Sequence, residues 1–237
     1  IVILLVYDYF DGVFMRNLLI SAVALFMTST VFAQGKYFFE ANLGRYELNT
    51  VHEKPVSGSV SGITFTNWSA DKEFDADNAV RLELGLNLSE NIRMSLSYAD
   101  LDMVFEAANF SGTVSGGGTT LSVSGRATAA DYRSIGLTSD NDAQSYMLNL
   151  YYDFNLQNIN NLRPYLGVSL GEVDISNAKS DESARSLIAG MNFDINSNFY
   201  LGLKYIHSKI DGPTDMLDIE FEDLDITSTH VTLGYRF

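Results

Sequence analysis

Apolar and polar residues alternate with a period of two along most of the chain. The clearest segment is residues 79–88, where every even position is valine or leucine and every odd position is small, charged or an amide. Successive side chains of a β-strand point to opposite faces, so this alternation predicts a strand with one apolar and one polar face. Residues 89–91 form a short turn, and the alternation resumes from Ile92 in the same phase. The two segments predict a hairpin whose apolar side chains share one face.

The pattern recurs in eight segments, which predict eight strands: residues 36–48, 79–88, 92–99, 145–154, 163–172, 184–195, 199–208 and 226–237. Segments of about ten residues match strands that cross a membrane at a tilt. The connections alternate between short and long, as they do in outer-membrane barrels. The predicted fold is therefore all-β: a transmembrane, antiparallel, up-and-down β-barrel of about eight strands. Residues 120–127 leave two alternatives open, because they extend a hairpin above the membrane or add two strands to make ten.

The period alone does not decide which face points outward. A soluble lipocalin-like barrel also has eight alternating strands, with its apolar face inside. In this chain the polar face is rich in glycine, which suits a narrow interior better than a water-facing surface: Gly44, Gly85, Gly167, Gly171, Gly190, Gly202 and Gly234. This composition favours an apolar exterior and a membrane location.

Aromatic residues at the strand ends favour the same orientation, because aromatic rings form belts at the two membrane interfaces. One predicted belt lies at the short-turn end and consists of Tyr37, Phe154, Phe193, Phe199, Tyr235 and Phe237. The other predicted belt lies at the long-loop end and consists of Tyr46, Tyr98, Tyr146 and Tyr205.

The N-terminal region has the features of a targeting segment. Met15 and Arg16 precede an apolar run, and small residues end it at Ala33. This order predicts a signal peptide over residues 15–33, removed on export through the periplasm. Residues 1–14 are interpreted as an upstream, non-native leader, with Met15 as the true start. A genuine, longer apolar leader is the alternative. The predicted barrel domain is residues 34–237.

Composition narrows the function classes. The formal net charge is −15, and the chain contains no cysteine. A strongly acidic protein repels nucleic-acid phosphates, so binding to DNA or RNA is not expected. A chain without cysteine forms neither disulfides nor thiolate metal sites.

Charged residues on the inward face are the strongest candidates for a functional site. The polar face of the strands carries four cations and four carboxylates: Glu40, Arg81, Glu83, Arg93, Asp153, Asp194, Lys204 and Arg236. Charges inside a narrow barrel need partners, because an unpaired buried charge is costly. Two interpretations follow: a structural network of ion pairs that fills the lumen, or a gate whose ion pairs exchange to admit small solutes. Eight strands leave room mainly for side chains, which favours the first.

Other candidate chemistry is sparse. The acidic stretch 209–225 could offer oxygen ligands to Ca²⁺ or Mg²⁺, but its spacing fits no EF-hand, so a solvated acidic loop is expected. Phe65 and Trp68 are interpreted as loop-packing residues, with partner contact as the alternative. Only three histidines are present. His52 falls in a loop, His207 is in phase with the apolar face, and His230 is inward. No catalytic, cofactor-binding or metal residues are assigned, and an enzyme is not expected.

The end of the chain resembles a known signal. Residues 230–237, His-Val-Thr-Leu-Gly-Tyr-Arg-Phe, resemble the C-terminal signal that the outer-membrane assembly machinery recognises, with Tyr235 and Phe237 at its aromatic positions. Together with residues 145–154 and 163–168, they make the chain similar to the OmpA-type outer-membrane β-barrel or surface-antigen family. The resemblance covers nearly all of residues 36–237. It implies a Gram-negative outer-membrane location and no peptidoglycan-binding domain.

The resemblance implies a location more than an activity. The expected function is a structural and surface-interaction role, in envelope integrity and loop-mediated contacts. The alternatives are a narrow porin for ions or small polar solutes and an adhesin or host-factor binder. Expected partners are outer-membrane lipid and lipopolysaccharide, the barrel-assembly machinery and an unidentified surface ligand. The expected oligomeric state is a monomer.

Overall fold

The computed structural model describes residues 36–135, 141–155 and 161–237. The predicted leader and the signal peptide lie outside the described residues. The described chain forms thirteen strands and one short helix. In chain order these are β1 Tyr37–Leu48, β2 Val51–His52, β3 Val56–Val60, β4 Ile63–Phe74, β5 Asp77–Asn87, β6 Ile92–Met103, β7 Phe105–Gly116, β8 Thr119–Thr128, α1 Ala129–Ser134, β9 Asn141–Asp153, β10 Leu162–Ile175, β11 Glu182–Asp194, β12 Phe199–Ile210 and β13 Leu224–Arg236.

Eight of these strands close into one antiparallel barrel, in the order β1-β13-β12-β11-β10-β9-β6-β5. The barrel closes between the first and last strands, where Leu43 pairs with Val231. On its other side β1 pairs with β5, and Leu43 lies opposite Val80. All eight strands predicted from the alternation are barrel strands, and the predicted barrel with eight strands is confirmed.

The alternation separates an apolar outer surface from a filled interior. Outward residues such as Leu43, Leu187 and Val231 are more than half exposed, whereas inward residues such as Glu40 and Asn149 are buried. Leucine and valine are thus on the outside, the reverse of a water-soluble barrel. This arrangement fits a lipid environment, in which the closed ring also leaves no strand edge unpaired.

The strand connections distinguish the two ends of the barrel. We call the end with the β5–β6, β9–β10 and β11–β12 connections the turn end, and the opposite end the loop end.

No helix in the described part of the chain is long and apolar enough to cross a membrane.

A second sheet rises from the loop end. It has the order β2-β4-β7-β8, and β3 pairs with the same edge of β4 as β2 does. Only residues 75 and 76 separate β4 from β5, and only Val104 separates β6 from β7, so the β4–β7 pair continues the β5–β6 hairpin beyond the barrel. The amide of Asp75 donates to the carbonyl of Val104 at 2.9 Å across this junction. We call this second sheet the external sheet.

Two sequence-based expectations change here. Residues 120–127 belong to β8 and extend a hairpin above the barrel, so the ten-strand alternative is wrong. The long connection expected between the first two predicted strands, residues 49–77, instead forms β2, β3 and β4, whose side chains alternate less cleanly because no membrane covers either face.

Tyr46 was expected in the aromatic belt at the loop end but is fully buried inside the barrel. Its hydroxyl donates a hydrogen bond to the carbonyl of Asp102. In β1 the outward residues are Phe39, Ala41 and Leu43, so position 46 has inward parity. The prediction that placed Tyr46 with the outward aromatics is therefore wrong.

Candidate functional site in the barrel lumen

The middle of the lumen contains two carboxylates and one ammonium group. Glu40 on β1 and Glu83 on β5 are direct partners in the strand register. Two adjacent buried carboxylates repel each other, and Lys204 from β12 lies between them. Its Nζ is 2.6 Å from Glu40 Oε2 and 2.7 Å from Glu83 Oε2. Only 1% of the Lys204 side chain is exposed, so both pairs are shielded from water.

A second cation joins this centre to the turn end. Arg93 on β6 donates from Nε to Asp153 Oδ2 at 2.7 Å and from Nη1 to Glu40 Oε1 at 3.2 Å. Its guanidinium also lies 4.8 Å from the ring centroid of Tyr151 and 5.0 Å from that of Tyr165. A planar, weakly hydrated guanidinium suits this combination of ion pairing and ring contact, which a lysine would not reproduce.

Arg81 completes the cluster towards the loop end. Its Nη2 donates to Asn149 Oδ1 at 2.8 Å, and its Nε lies 3.9 Å from Glu83 Oε2. Asn149 in turn donates to Ser95 Oγ and Ser97 Oγ, each at 3.0 Å. Three cations and three carboxylates meet in this network, so its formal charge cancels. We call these six residues the charge plug: Glu40, Arg81, Glu83, Arg93, Asp153 and Lys204.

Inward aromatic rings fill the space around the charge plug, and glycines make room for them. A Cβ atom at position 234 would lie 2.0 Å from the Tyr200 ring, and one at position 167 would lie 2.5 Å from the Tyr151 ring. Tyr200 also donates from its hydroxyl to Glu40 Oε1 at 2.8 Å. The glycines on the polar face thus allow large rings to lie against the barrel wall and close the lumen.

The remaining two predicted lumen charges form a separate group at the turn end. Arg236 Nη1 lies 2.7 Å from Asp194 Oδ1, and Arg163 Nη2 lies 2.5 Å from Asp194 Oδ2. The Arg236 guanidinium also covers the Tyr200 ring at 4.2 Å from its centroid. Arg163 was not among the predicted charges, although it is the first residue of the predicted strand 163–172 and has inward parity; its side chain lies half-exposed at the rim.

The loop half of the lumen has a different lining. Buried apolar side chains replace the charges there, and they come from all eight barrel strands, from β2 and from the loop before β13: Tyr46, Leu48, Val51, Ala79, Met103, Ala143, Met147, Val173, Ile175, Ala184, Ile210, Phe221, Leu224 and Ile226. Above them, between the barrel rim and the 211–223 loop, lies a pocket of about 330 Å³. We call it the mouth pocket. Apart from Tyr46, which was assigned to the loop-end belt, these residues were not predicted, because most of them lie beyond the ends of the predicted strand segments.

The external sheet is held by its own contacts. Trp68 stacks on Phe110, with ring centroids 5.8 Å apart and planes 19° apart, as the packing interpretation of Trp68 predicted. Arg126 on β8 makes two contacts of 2.7 Å with the carboxylate of Glu73 on β4. These hydrogen bonds from Arg126 lower the pKa of Glu73 below its usual value. Asn109 of β7 also donates to Glu73 at 2.7 Å, so three strands are tied together.

The acidic stretch before β13 is paired with neighbouring cations as well as solvated. Lys54 lies 3.0 Å from Glu220, and Lys209 lies 3.4 Å from Asp223. Among the described residues, no group of three histidine or carboxylate side chains is placed to hold a metal ion.

All eight predicted lumen charges are therefore located, and they fall into two clusters. Six form the charge plug, and Asp194 and Arg236 lie together at the turn rim. The aromatic and amide residues that complete the network were not predicted, because strand parity places a side chain inside but does not say which strands its atoms reach.

The family relationship of the chain is clear. The model for the family described as "Outer membrane protein beta-barrel domain" matches residues 49–237. No curated protein matches the chain in sequence.

Solved structures with a similar fold include three outer-membrane barrels. The outer membrane protein AlkL, determined in lipid bilayers, has a TM-score of 0.50 at 16% identity, covering 88% of this chain and 94% of that one. Neisserial surface protein A has a TM-score of 0.46 at 14% identity, covering 85% and 97%. The outer membrane protease OmpT from Escherichia coli has a TM-score of 0.42 at 9% identity, covering 89% and 99%. The family match and the fold point to the bacterial outer membrane, and the chain belongs to the outer membrane protein β-barrel domain family.

Proposed function

We propose that this protein is a sealed outer-membrane barrel that anchors the external sheet at the cell surface and contributes to envelope integrity, rather than a channel. The observation that carries this proposal is the charge plug. Lys204 is bonded to carboxylates from two other strands, and aromatic rings occupy the surrounding space. An ion that moved through the lumen would have to break several of these buried pairs together, each of which is costly to break.

The external sheet supplies the surface for contacts. Outer-membrane barrels place their longer loops outside the cell, which puts this sheet in the external medium. β4 has 12 residues, so at about 3.3 Å per residue this strand of the external sheet is roughly 35–40 Å long. Val60, Ile63 and Leu121 expose more than half of their surface near its tip. Exposed apolar side chains at such a tip favour contact with another molecule.

The proposal includes no catalytic role. His52 is 2.7 Å from Asp71 on the external sheet, His207 lies 3.8 Å from Asp225 near the rim, and His230 is buried in the lumen. In the described part of the chain these three histidines lie in different regions. His230 Nε2 lies 2.9 Å from Ser228 Oγ, but this pair lies inside the lumen and not at the outer rim, where a substrate for general acid–base or nucleophilic catalysis would bind.

The proposal also covers export and assembly. Residues 15–33 direct the chain through the periplasm, the assembly machinery recognises Tyr235 and Phe237, and the apolar outer surface meets lipid and lipopolysaccharide. In the folded barrel Tyr235 stacks on Phe237, with centroids 5.8 Å apart, so the two rings form one aromatic patch at the turn end. The folded barrel is a monomer in this proposal.

Conductance across a planar lipid bilayer tests the sealed lumen. We expect no stable channels from the wild-type protein, and none from Lys204→Ala, because the aromatic rings and the other ion pairs remain. Lys209→Ala, an exposed lysine at the loop end, is the matched control. Stable, reproducible channels in the wild type, or a rise in conductance in Lys204→Ala but not in Lys209→Ala, would instead support a narrow porin gated by ion pairs.

A further inference from the structure

The mouth pocket has the size and shape of a small-molecule site. Its volume of about 330 Å³ is within the roughly 300–1,000 Å³ range of pockets that bind small ligands. Its walls come from the ends of barrel strands and from the external sheet, including Leu48, Phe74, Met103 and Ile175. It is thus built between two parts of the fold, where ligand sites are common.

The 211–223 loop roofs the pocket and is fastened on both sides. The amide of Glu222 donates to the carbonyl of His52 at 2.9 Å, and the amide of Lys54 donates to the carbonyl of Glu220 at 2.8 Å. On the opposite side the amide of Lys179 donates to the carbonyl of Thr214 at 2.9 Å. The loop is therefore a fixed wall of the pocket.

The polar side chains that line the pocket already have partners in the protein. Lys72 lies 3.0 Å from Glu53, and Asn177 donates to Asn141 at 2.6 Å.

The two other polar lining side chains accept from backbone amides. Asp215 accepts from the amides of Leu217 and Ile219 at 2.8 and 2.9 Å, and Ser176 accepts from the amide of Asp142 at 2.8 Å. Eleven of the sixteen lining residues are apolar, so the larger part of the surface that is left for a ligand is apolar. Since water gains little from such a surface, an apolar molecule is favoured there.

Two exposed apolar residues mark the entrance. Met216 and Leu217 are both pocket-lining residues, and 64% and 79% of their surfaces are exposed. They lie at the tip of the roofing loop. An apolar molecule arriving from outside would meet them before it reached the buried walls.

The pocket ends within the barrel. A smaller cavity of about 50 Å³ lies further inside, and Arg81 and His230 line it. Arg81 belongs to the charge plug. The apolar region therefore stops at the plug, so the geometry describes a site that holds a ligand and does not pass it through the lumen.

We propose that the mouth pocket binds a neutral, apolar small molecule of about ten to twelve carbon atoms, taken from the external side. The size follows from the volume, because an apolar cavity of roughly 150 Å³ accepts benzene and this pocket is about twice as large. The two charged lining side chains are already engaged, Lys72 by Glu53 and Asp215 by two backbone amides, so a neutral ligand is favoured over a charged one of the same size.

Tryptophan quenching by 1-bromonaphthalene tests this site in full-length protein in lipid nanodiscs. Trp68 is the single tryptophan, so Trp68→Phe removes the native tryptophan fluorescence. One new tryptophan is then introduced as the reporter. Phe74→Trp puts the reporter in the pocket wall, and Leu201→Trp puts the control reporter on the outward face, where it senses probe dissolved in the bilayer. We expect saturable quenching at position 74, half-maximal at probe concentrations about tenfold below those that give the same quenching at position 201.

A pocket-filling variant separates binding from partition. Ala178→Phe introduces a ring into the pocket and should abolish the saturable phase, whereas Ala189→Phe on the outward face should leave it unchanged. Each variant is first checked for the mobility shift on boiling in SDS that a folded barrel gives. Parallel, non-saturating quenching at positions 74 and 201 would overturn the proposal, as would saturation that survives in folded Ala178→Phe. A pocket occupied by a lipid acyl chain would give the first of these results.

Discussion

The two halves of the lumen are built from the same strands but are filled in different ways. On β12, the inward residues towards the turn end include Tyr200 and Lys204, while those towards the loop end include Ile206 and Ile210. The turn half is packed with ion pairs between strands, and the loop half is mainly apolar and contains the mouth pocket. The same period of two thus gives a seal in one half and a space for a ligand in the other.

The difference between the two halves shows that buried charged side chains can link strands across the lumen. In the turn half, each charge has partners on other strands, so the cluster ties strands together across the lumen: Glu40 on β1, Glu83 on β5, Arg93 on β6 and Lys204 on β12. The apolar residues in the loop half need no hydrogen-bond or ion-pair partner in a fixed direction. They can border an open pocket without leaving a polar group unpaired.

Removal of the central cation, Lys204, should cause the largest loss of stability and so tests the contrast between the two halves of the lumen most strongly. Lys204→Met keeps the length of the side chain but leaves Glu40 and Glu83 facing each other without it. We expect a loss of about 3–5 kcal/mol in the free energy of unfolding, the range for breaking a buried ion pair. Guanidinium titration of the barrel in lipid vesicles measures it.

The control restores the balance of charge. Lys204→Met combined with Glu83→Gln removes one charge of each sign, so it should cost less than Lys204→Met alone. If the double variant lost as much stability as the sum of its single variants, the two residues would not act as a pair and the plug would not be a coupled network.

A smaller effect is expected where a glycine lies under a ring. Gly234→Ala places a methyl group within the Tyr200 ring, and overpacking of this kind costs about 1–3 kcal/mol. The same titration measures the loss. Gly116→Ala on the external sheet is the matched control, because its new Cβ would make only ordinary contact, 3.6 Å from Ile63. Equal stability of the two variants would contradict the tight packing of the turn half.

The sequence predicted the barrel well because the membrane enforces the alternation. Outward positions within the bilayer face lipid, so Leu43, Val80 and Val231 must be apolar, and the eight strands are visible in the pattern. The same rule placed the inward charges correctly by parity. The error at Tyr46 came from its aromatic character, which suggested the belt although parity placed the residue inside, where the structure has it.

Beyond the hairpin extension at residues 120–127, which was one of two alternatives, the external sheet was not predicted, and neither was the mouth pocket. The physical reason is different from that at Tyr46. Outside the bilayer neither face of a strand must be apolar, so Ile63–Phe74 alternates less cleanly and resembles a loop. The pocket depends on contacts distant in sequence, such as the bond between residues 54 and 220. A pattern with a period of two contains no information on such contacts.

The most direct test of the charge plug is the exchange of lysine ammonium protons with water, followed by NMR of protein labelled with ¹⁵N in its lysine side chains. The chain has six lysines, and Lys204 is buried between two carboxylates, whereas the side chains of Lys54, Lys179 and Lys209 are 38–53% exposed. We expect one slowly exchanging ammonium resonance that correlates with the carboxylates of Glu40 and Glu83 and disappears in Lys204→Arg. Rapid exchange at every lysine in the folded barrel would mean that water reaches the centre of the lumen, and would contradict the sealed barrel.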